Sequence, residues 1–516
     1  MISRNFSFFW KKFNIILACT DETQLIGREL ISNEEETKFV LPWGFCTPDM
    51  RHFQSKTTGG GNNAIIMGHN TWHSIPKDIK PLKDRFNIVI SRDFEESLLP
   101  NSERKNFKVF RFLEDAFSFC AAKKDMEEIF IIGGSNIYKK CFLHHKNLID
   151  KIYVTLIPEK YSTGTQYEER FKIKSEIYLS HINFSDKKKN YENNYKAEKE
   201  EIVPWKRYNT TIKILTLSVR NNEENAYLNL LKDVLVHGEE KEDRTGVGTL
   251  SLFGKTLEFD LSSGIIPLLT TKKIFFRGSV EEMLFFISGK TDASILDKKQ
   301  VRIWNDNTTR EFLDSRNLKH YEEYDMGPTY GFLFRHCGAE GSYKGKDEDY
   351  ENQGFDQLAE VIRLIRDQPS SRRIMINLWS AAHSDKMSLP PCLFNYIFNV
   401  NIKKNEVSLM ITMRSADLFL GVPFNLCGAS LILRMICHIT GRKPGRLILN
   451  IGDAHIYKNQ IVQARTQIVR EPNSFPRLSF KRSPEELENN IHNFVYEDFI
   501  LKDYAPQGIL KAHMAV

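Results

Sequence analysis

The eight cysteines of this 516-residue chain (Cys19, Cys46, Cys120, Cys141, Cys337, Cys392, Cys427, Cys437) include no C-x-x-C pair. This argues against a zinc site and against a disulfide framework, and it fits a reducing compartment. Nowhere are there the roughly 18 consecutive apolar residues that a membrane helix needs. Residues 1–12 place four aromatics ahead of Lys11-Lys12, the reverse of the basic-then-apolar order of a secretory signal. They read as an N-terminal arm, and the chain as cytoplasmic with no membrane partner. Nor does one sign of charge dominate, because 72 Lys and Arg against 66 Asp and Glu leave only +6. With no aromatic-rich basic motif either, the sequence argues against nucleic acid as a partner. No internal repeat is present.

What is present exceeds one core: a chain of this length implies about two to four domains. Short apolar runs at Phe13–Cys19, Ala64–Met67, Asn87–Ile90, Ile129–Ile132 and Ile152–Ile157 read as buried strands. Segments such as Leu113–Lys123 between them have room for helices. Buried strands alternating with helices predict an α/β domain with a mostly parallel central sheet and flanking helices. Alternating stretches near Glu176–Phe184 and Thr210–Ser218 predict a closing antiparallel hairpin. Residues 186–206 are rich in Lys, Glu, Asn and Tyr and read as a solvated charged insertion. The first domain is thus expected over 13–218, a short linker over 219–225, and a second, α+β domain over 226–516.

In the second half Cys392 sits in Leu389-Pro390-Pro391-Cys392, followed by Arg414-Ser415-Ala416-Asp417, Pro423-Phe424-Asn425 and Asp453-Ala454-His455-Ile456-Tyr457. A thiol attacks only as thiolate, and a neighbouring guanidinium lowers its pKa while holding an anionic substrate. A lone cysteine is more often a small core hydrophobe. The ordered arginines, Asn, His and Tyr downstream favour covalent catalysis on a phosphorylated ring instead.

Further matches lie at Asp243-Arg244-Thr245-Gly246, Pro267-Leu268-Leu269-Thr270-Thr271-Lys272, Gly327-Pro328-Thr329-Tyr330-Gly331-Phe332 and Ser371-Arg372-Arg373-Ile374. With them, Ala226–Val516 resembles thymidylate synthase. The resemblance implies that Cys392 adds to the ring of dUMP and that 5,10-methylenetetrahydrofolate donates carbon and hydride. It implies that Arg244, Arg414 and Ser415 hold the phosphate, joined by Arg372 and Arg373 across a homodimer interface. Asn425, His455 and Tyr457 would fix base and ribose, and Glu282 would manage protons. Asp417 and Trp304 would meet the folate, with Val516 closing the site. Several family positions are changed here: Leu393 stands for His, Met413 and Ile397 for Gln, Ser380 for Asn, and Leu333-Phe334 for Gln-Trp.

The first half carries Leu41-Pro42-Trp43, then Asp49 and Phe53, four residues apart and so on one helix face. A carboxylate in an apolar cleft can hold an amidine-like heterocycle. Ile132-Gly133-Gly134-Ser135 follows a strand-like run, where paired glycines let backbone amides approach a diphosphate. Together with Met67-Gly68-His69-Asn70-Thr71-Trp72, Ser74-Ile75-Pro76, Pro81–Arg85 and Ser91-Arg92, these residues resemble dihydrofolate reductase from Phe13 to about Ser218.

That resemblance implies hydride transfer from NADPH to dihydrofolate. Asp49 would anchor the pterin with Thr155 behind it, Arg85 would pair with the glutamate carboxylate, and Phe53 and Ile132 would line the folate slot. Gly68, His69, Asn70, Thr71, Ser91, Arg92, Gly133, Gly134, Ser135 and Tyr138 would face the cofactor. His69 replaces the family's Arg, and Gly164-Thr165-Gln166-Tyr167 replaces an acidic stretch. Reductase first and synthase second is the order of the bifunctional enzymes of protozoa and plants. A second reading keeps the reductase active and gives a weakened synthase half mainly a dimerising role.

Overall fold

Continuous apolar runs form strands that are buried on both faces, and this is how the first half is built. In the computed structural model, which describes residues 11–32, 37–94, 106–162, 171–179, 184 and 194–514, the chain divides into units 1–220 and 221–516. Strands of the first unit are β1 (Phe13–Thr20), β2 (Leu25–Ser32), β3 (Thr37–Val40), β4 (Ala64–Gly68), β5 (Phe86–Ile90) and β6 (Phe107–Phe110). They continue as β7 (Ile129–Gly133), β8 (Ile149–Ile157), β9 (Phe171–Tyr178), β10 (Tyr195–Trp205) and β11 (Thr210–Val219). Eight of them form one sheet in the order β10-β11-β8-β1-β7-β4-β5-β6. Every pairing in it is parallel except β10 with β11 and β11 with β8.

The α/β expectation therefore holds, and the helix expected near Leu113–Lys123 runs over Leu113–Ala122. The closing hairpin differs from expectation. The strand near Glu176 is β9, which pairs with β2 in a separate antiparallel sheet, β3-β2-β9. The partner of β11 is β10, formed by residues expected to lie in a solvated insertion. Only Tyr195 and Trp205, at the two ends of β10, are buried, and Lys196–Glu200 are exposed. An edge strand has one neighbour and benefits from charge that deters further pairing, so a polar composition did not exclude it. Residues 1–10 of the expected arm 1–12, and Gly164-Thr165-Gln166-Tyr167, lie outside the described residues.

The expected linker 219–225 is taken up by regular structure. Val219 ends β11, and Asn221 caps the helix Asn222–His237 by accepting a hydrogen bond from Glu224 N. The second unit holds β12 (Glu239–Lys241), β13 (Thr249–Asp260), β14 (Met375–Asn377), β15 (Leu393–Asn401), β16 (Glu406–Asp417) and β17 (Lys443–Tyr457). They form one sheet ordered β12-β13-β17-β16-β15-β14. Alternation gives this sheet two unlike faces. Across β14 to β13, the register row Ile376, Tyr396, Ile411, Leu449, Leu257 is buried, while the next row, Met375, Ile397, Met410, Ile448, Glu258, is exposed or half-buried. Gly421–Thr440 is long and apolar enough to cross a membrane, with mean hydropathy 1.5, yet 83% of that window is buried inside the protein, as befits a core helix.

Two candidate active sites

In the first unit β7 lies between β4 and β1, so the chain reverses its course across the sheet there. The carboxyl ends of strands at such a reversal are where open α/β sheets bind ligands. Helix Thr47–Thr58 starts with Pro48 in its first turn and carries Asp49, Phe53 and Thr57 at successive i+4 positions. Asp49 is 6% exposed. Burial raises its carboxyl to about 6, against the pull of a hydrogen bond from the buried Thr155 on β8. Arg85 lies 5.8 Å over the Phe53 ring and donates 2.7 Å to Thr57 Oγ1 and 2.9 Å to Lys83 O. Carboxylate, aromatic ring and guanidinium are thus held along one helix. Half-buried Ile132 packs in the same apolar cluster as Phe53. Thr57 was missed by sequence reasoning, although it continues the Asp49–Phe53 spacing.

The glycine pair at the end of β7 is closely packed. Gly133 has φ +117°, and a Cβ there would lie 3.2 Å from Tyr138 Oη; a Cβ on Gly134 would lie 3.2 Å from Thr71 Oγ1. Gly68 lies beside them, its virtual Cβ 3.8 Å from Gly134 N. Tyr138 is fixed by donating 2.9 Å to Ile16 O, and Ser135 by donating 3.1 Å to Tyr178 O. The two glycines keep the backbone before the helix Ser135–His144 free of side chains of its own, with Tyr138 and Thr71 packed against it, which fits the close approach of a diphosphate. Asn70 is exposed beside them. Exposed His69 lies 4.3 Å, ring to ring, from His73 and 6.0 Å from Phe94. Phe94 N and Asp93 N bond to Ser91 Oγ at 3.1 and 3.3 Å, so the Ser91-Arg92 turn adjoins the imidazole pair. His73 was not singled out in the sequence.

In the second unit Cys392 immediately precedes β15. Its N–H donates to Tyr330 Oη at 3.0 Å, its carbonyl accepts from Arg414 N at 2.9 Å, and Sγ is 3.6 Å from Arg414 Nη2. Arg414 is aimed by bonds to Pro390 O and Pro391 O, both 3.0 Å, and by the Trp379 ring 5.6 Å away. The thiol departs from expectation in one respect. Burial raises its pKa, and the Arg414 and Arg244 charges pull it down without cancelling that rise. Glu282, on helix Phe276–Ile287, accepts 2.9 Å from Trp304 Nε1, and burial raises its carboxyl to about 7. Buried Tyr330 stacks on Phe286 at 4.9 Å and meets Trp304 edge-on at 5.5 Å, which joins Cys392 to Glu282. Tyr330 lies in the Gly327–Phe332 motif, whose sequence does not by itself assign it a role.

His455 Nδ1 lies 3.1 Å from Asp453 Oδ1 and 3.4 Å from Ser415 Oγ, with the Tyr457 ring 5.1 Å away. The Asp453 carboxyl is held well below its ordinary range, first by His455, then by Lys241 and Ser251. Asp417 Oδ1 accepts from Phe419 N at 2.9 Å and Leu420 N at 3.0 Å, and Oδ2 from Gln460 Nε2 at 3.0 Å. Asn425 flanks it: a Cβ on Gly421 would lie 3.5 Å from Asp417 Cβ and 3.8 Å from Asn425 Oδ1. Buried Lys272 donates to Phe419 O, and burial lowers its pKa to about 7 despite Asp417. The guanidiniums acting on Cys392 within the chain are those of Arg414 and Arg244. Arg372 and Arg373 stand exposed on the approach to β14, and Val516 lies outside the described residues. Of the changed positions, Leu393 and Met413 are buried register partners, whereas half-buried Ile397 lies on the sheet's other face.

Comparison with known proteins agrees with both halves. The family model Dihydrofolate reductase matches residues 13–200, and Thymidylate synthase matches 225–516. The bifunctional dihydrofolate reductase-thymidylate synthase of Leishmania major is 35% identical over 497 residues, covering 92% of each chain. That of Plasmodium chabaudi is 36% identical, covering 92% of this chain and 93% of its own. Form 2 from Arabidopsis thaliana is 36% identical over 92% and 85%. The chain belongs to the bifunctional dihydrofolate reductase-thymidylate synthase family, in which an NADPH-dependent oxidoreductase is joined to a methyltransferase that uses methylenetetrahydrofolate.

Proposed function

We propose that the two reactions run at the Asp49 and Cys392 sites, on dihydrofolate and on dUMP. The observation that carries the reading is a pair of desolvated titratable groups, buried Asp49 and half-buried Cys392, each with one placed partner: Asp49 with Thr155, and Cys392 with Arg414. At the first site Gly133, Gly134 and Thr71 would hold NADPH, which would supply the hydride. Asp49 accepts the pterin's N–H donors and, being protonated up to about pH 6, supports protonation of the ring. Arg85 takes the substrate's far carboxylate, and Phe53 and Ile132 keep water off the ring. Gly68, Asn70, Ser135 and Tyr138 shape the diphosphate cradle, and His69, Ser91 and Arg92 face the 2'-phosphate.

At the second site the Cys392 thiolate adds to the pyrimidine ring. The ring loses its conjugation, and the neighbouring carbon becomes nucleophilic toward the one-carbon unit. Arg244, Arg414 and Ser415 hold the phosphate. His455, Tyr457 and Asn425 fix sugar and base, and Glu282 with Trp304 and Tyr330 moves protons. Asp417, Trp304 and Val516 meet the folate. A reading in which the synthase half serves only as a scaffold has no support, since relatives match across both halves.

We also propose a homodimer through the synthase units. The row Met375, Ile397, Met410, Ile448 is an apolar stripe that the chain leaves at least partly uncovered, and exposed Arg372 and Arg373 lead into it. A two-fold axis on this face would bring both arginines toward the partner's phosphate site. Free cysteines throughout and the buried state of Gly421–Thr440 support a cytoplasmic protein without a membrane partner. The test mixes a Cys392→Ala chain with an Arg372→Ala/Arg373→Ala chain under subunit exchange. Recovered dTMP formation supports a shared site; mixtures that exchange yet stay inactive overturn it.

A further inference from the structure

Glu224 is fully buried in the first turn of the helix that opens the synthase unit, far in sequence from every residue given a catalytic role. Its carboxylate receives four donors from two consecutive residues. Thr270 N lies 2.8 Å and Thr271 N 2.7 Å from Oε1, while Thr271 Oγ1 donates 2.7 Å to Oε1 and Thr270 Oγ1 2.8 Å to Oε2. Asn221 holds it from behind, accepting from Glu224 N at 3.1 Å and donating to Oε2 at 3.4 Å. Burial raises the Glu224 pKa although all four threonine donors pull it down, so desolvation opposes the charge that the donors require.

The two threonines are also where the C-terminal segment docks. Gln507 N donates to Thr270 O at 2.7 Å. Arg470 Nη1 bridges Thr271 O at 2.6 Å and Gly508 O at 2.8 Å. Asn473, whose N–H reaches Thr270 Oγ1 at 2.9 Å, donates through Nδ2 to Ala505 O at 2.8 Å. Tyr504 Oη donates 3.0 Å to Leu269 O and accepts 2.9 Å from Ile274 N, which brackets the same loop. On the other side of the loop, Lys272 reaches Phe419 O, and the N–H of Phe419 holds Asp417.

We propose that Glu224 is a positioning residue of the synthase reaction: by clamping Thr270 and Thr271 it fixes the platform on which Tyr504–Gly508 docks and from which Lys272 braces Phe419 beside Asp417. Its effect falls on the folate co-substrate and not on dUMP, because the platform's two outlets are Asp417 and the segment leading to Val516. The inference rests on the assignment of those two residues to the folate side.

The test uses the full chain and measures KM for methylenetetrahydrofolate, kcat for dTMP formation, the dUMP dissociation constant and Tm. Glu224→Gln keeps the volume but turns an NH2 toward the donors, so KM for the folate should rise about tenfold and kcat fall, with dUMP affinity unchanged. Arg470→Ala, which removes the side-chain bridge from Thr271 O to Gly508 O, should shift KM the same way by less, and the double variant should be less than additive. A lowered Tm with all kinetic constants unchanged overturns the proposal. Should Glu224→Gln not fold, Thr271→Ser and Thr271→Val replace it: Ser keeps the donor and should keep KM, Val should raise it, and equal values overturn the inference. Asp417→Asn is the control for the underlying reading; if it leaves the folate KM unchanged, that reading falls, whatever Glu224 does.

Discussion

Asp49 and Cys392 occupy opposite halves of the chain and are shifted by the same force in the same direction. Desolvation raises both pKa values, because each group carries its charge in the deprotonated form. In the role proposed for Asp49 the shift is useful: a carboxyl at about 6 keeps a proton close to neutral pH, where a ring nitrogen would need one. For Cys392 it is adverse, since only thiolate attacks. The reductase site accordingly places a neutral hydroxyl, Thr155, against its acid, while the synthase site places Arg414 3.6 Å from its sulfur. With the roles proposed for Asp49 and Cys392, one unit would exploit burial and the other would have to oppose it with charge, so the two activities should respond oppositely to pH and to the loss of each group.

The strongest way to separate the halves is Cys392→Ala. Dihydrofolate-dependent NADPH oxidation should persist, while tritium release from 5-tritiated dUMP should fall by about 10⁴-fold or more. Equal loss of both activities would break the comparison. Next is Asp49→Asn, which should lower reductase turnover about 10²–10³-fold at pH 7 and leave tritium release intact.

The same variant sharpens the comparison through stability. Asp49 is raised from 3.8 to about 6 in the folded state, so its favourable contribution is present below pH about 4 and is lost as pH rises through about 6. Asp49→Asn removes that loss and should be more stable than wild type at pH 8 by up to about 3 kcal/mol, measured by denaturant melts at both ends of the range.

A smaller effect is expected at the synthase's apolar floor. Leu393→His should cost about 1–3 kcal/mol, because the imidazole would face Met413 with no partner. Adding Met413→Gln should recover part of this, read as a coupling in a double-mutant cycle of thermal melts. The smallest effect is expected of His69→Arg, which should tighten NADPH about three- to tenfold in fluorescence titrations and leave NADH unchanged.

How much of this was legible depended on what each residue advertises. The parallel core strands were readable because burial on both faces demands unbroken apolar runs such as Phe13–Cys19. Edge strand β10 was not, since its composition, Lys196–Glu201, is that of a solvated loop and only its register with β11 makes it a strand. Asp49, Cys392 and Arg414 were visible because their motifs are dense. Tyr330, Thr57 and Glu224 were not, because hydrogen bonds to residues far away in sequence define them. The raised thiol pKa was equally hidden, as the sequence displays nearby arginines but not the depth at which the sulfur is buried.

The most direct test of the account follows both activities of one preparation across pH 5–9. Reductase kcat/KM should fall as pH rises past about 6, where Asp49 loses its proton, while synthase kcat/KM should climb from neutral toward alkaline pH as the Cys392 thiol ionises. A reductase profile that stays flat through pH 6–8, or a synthase profile that falls alongside it, would contradict the claim that burial serves one site and opposes the other.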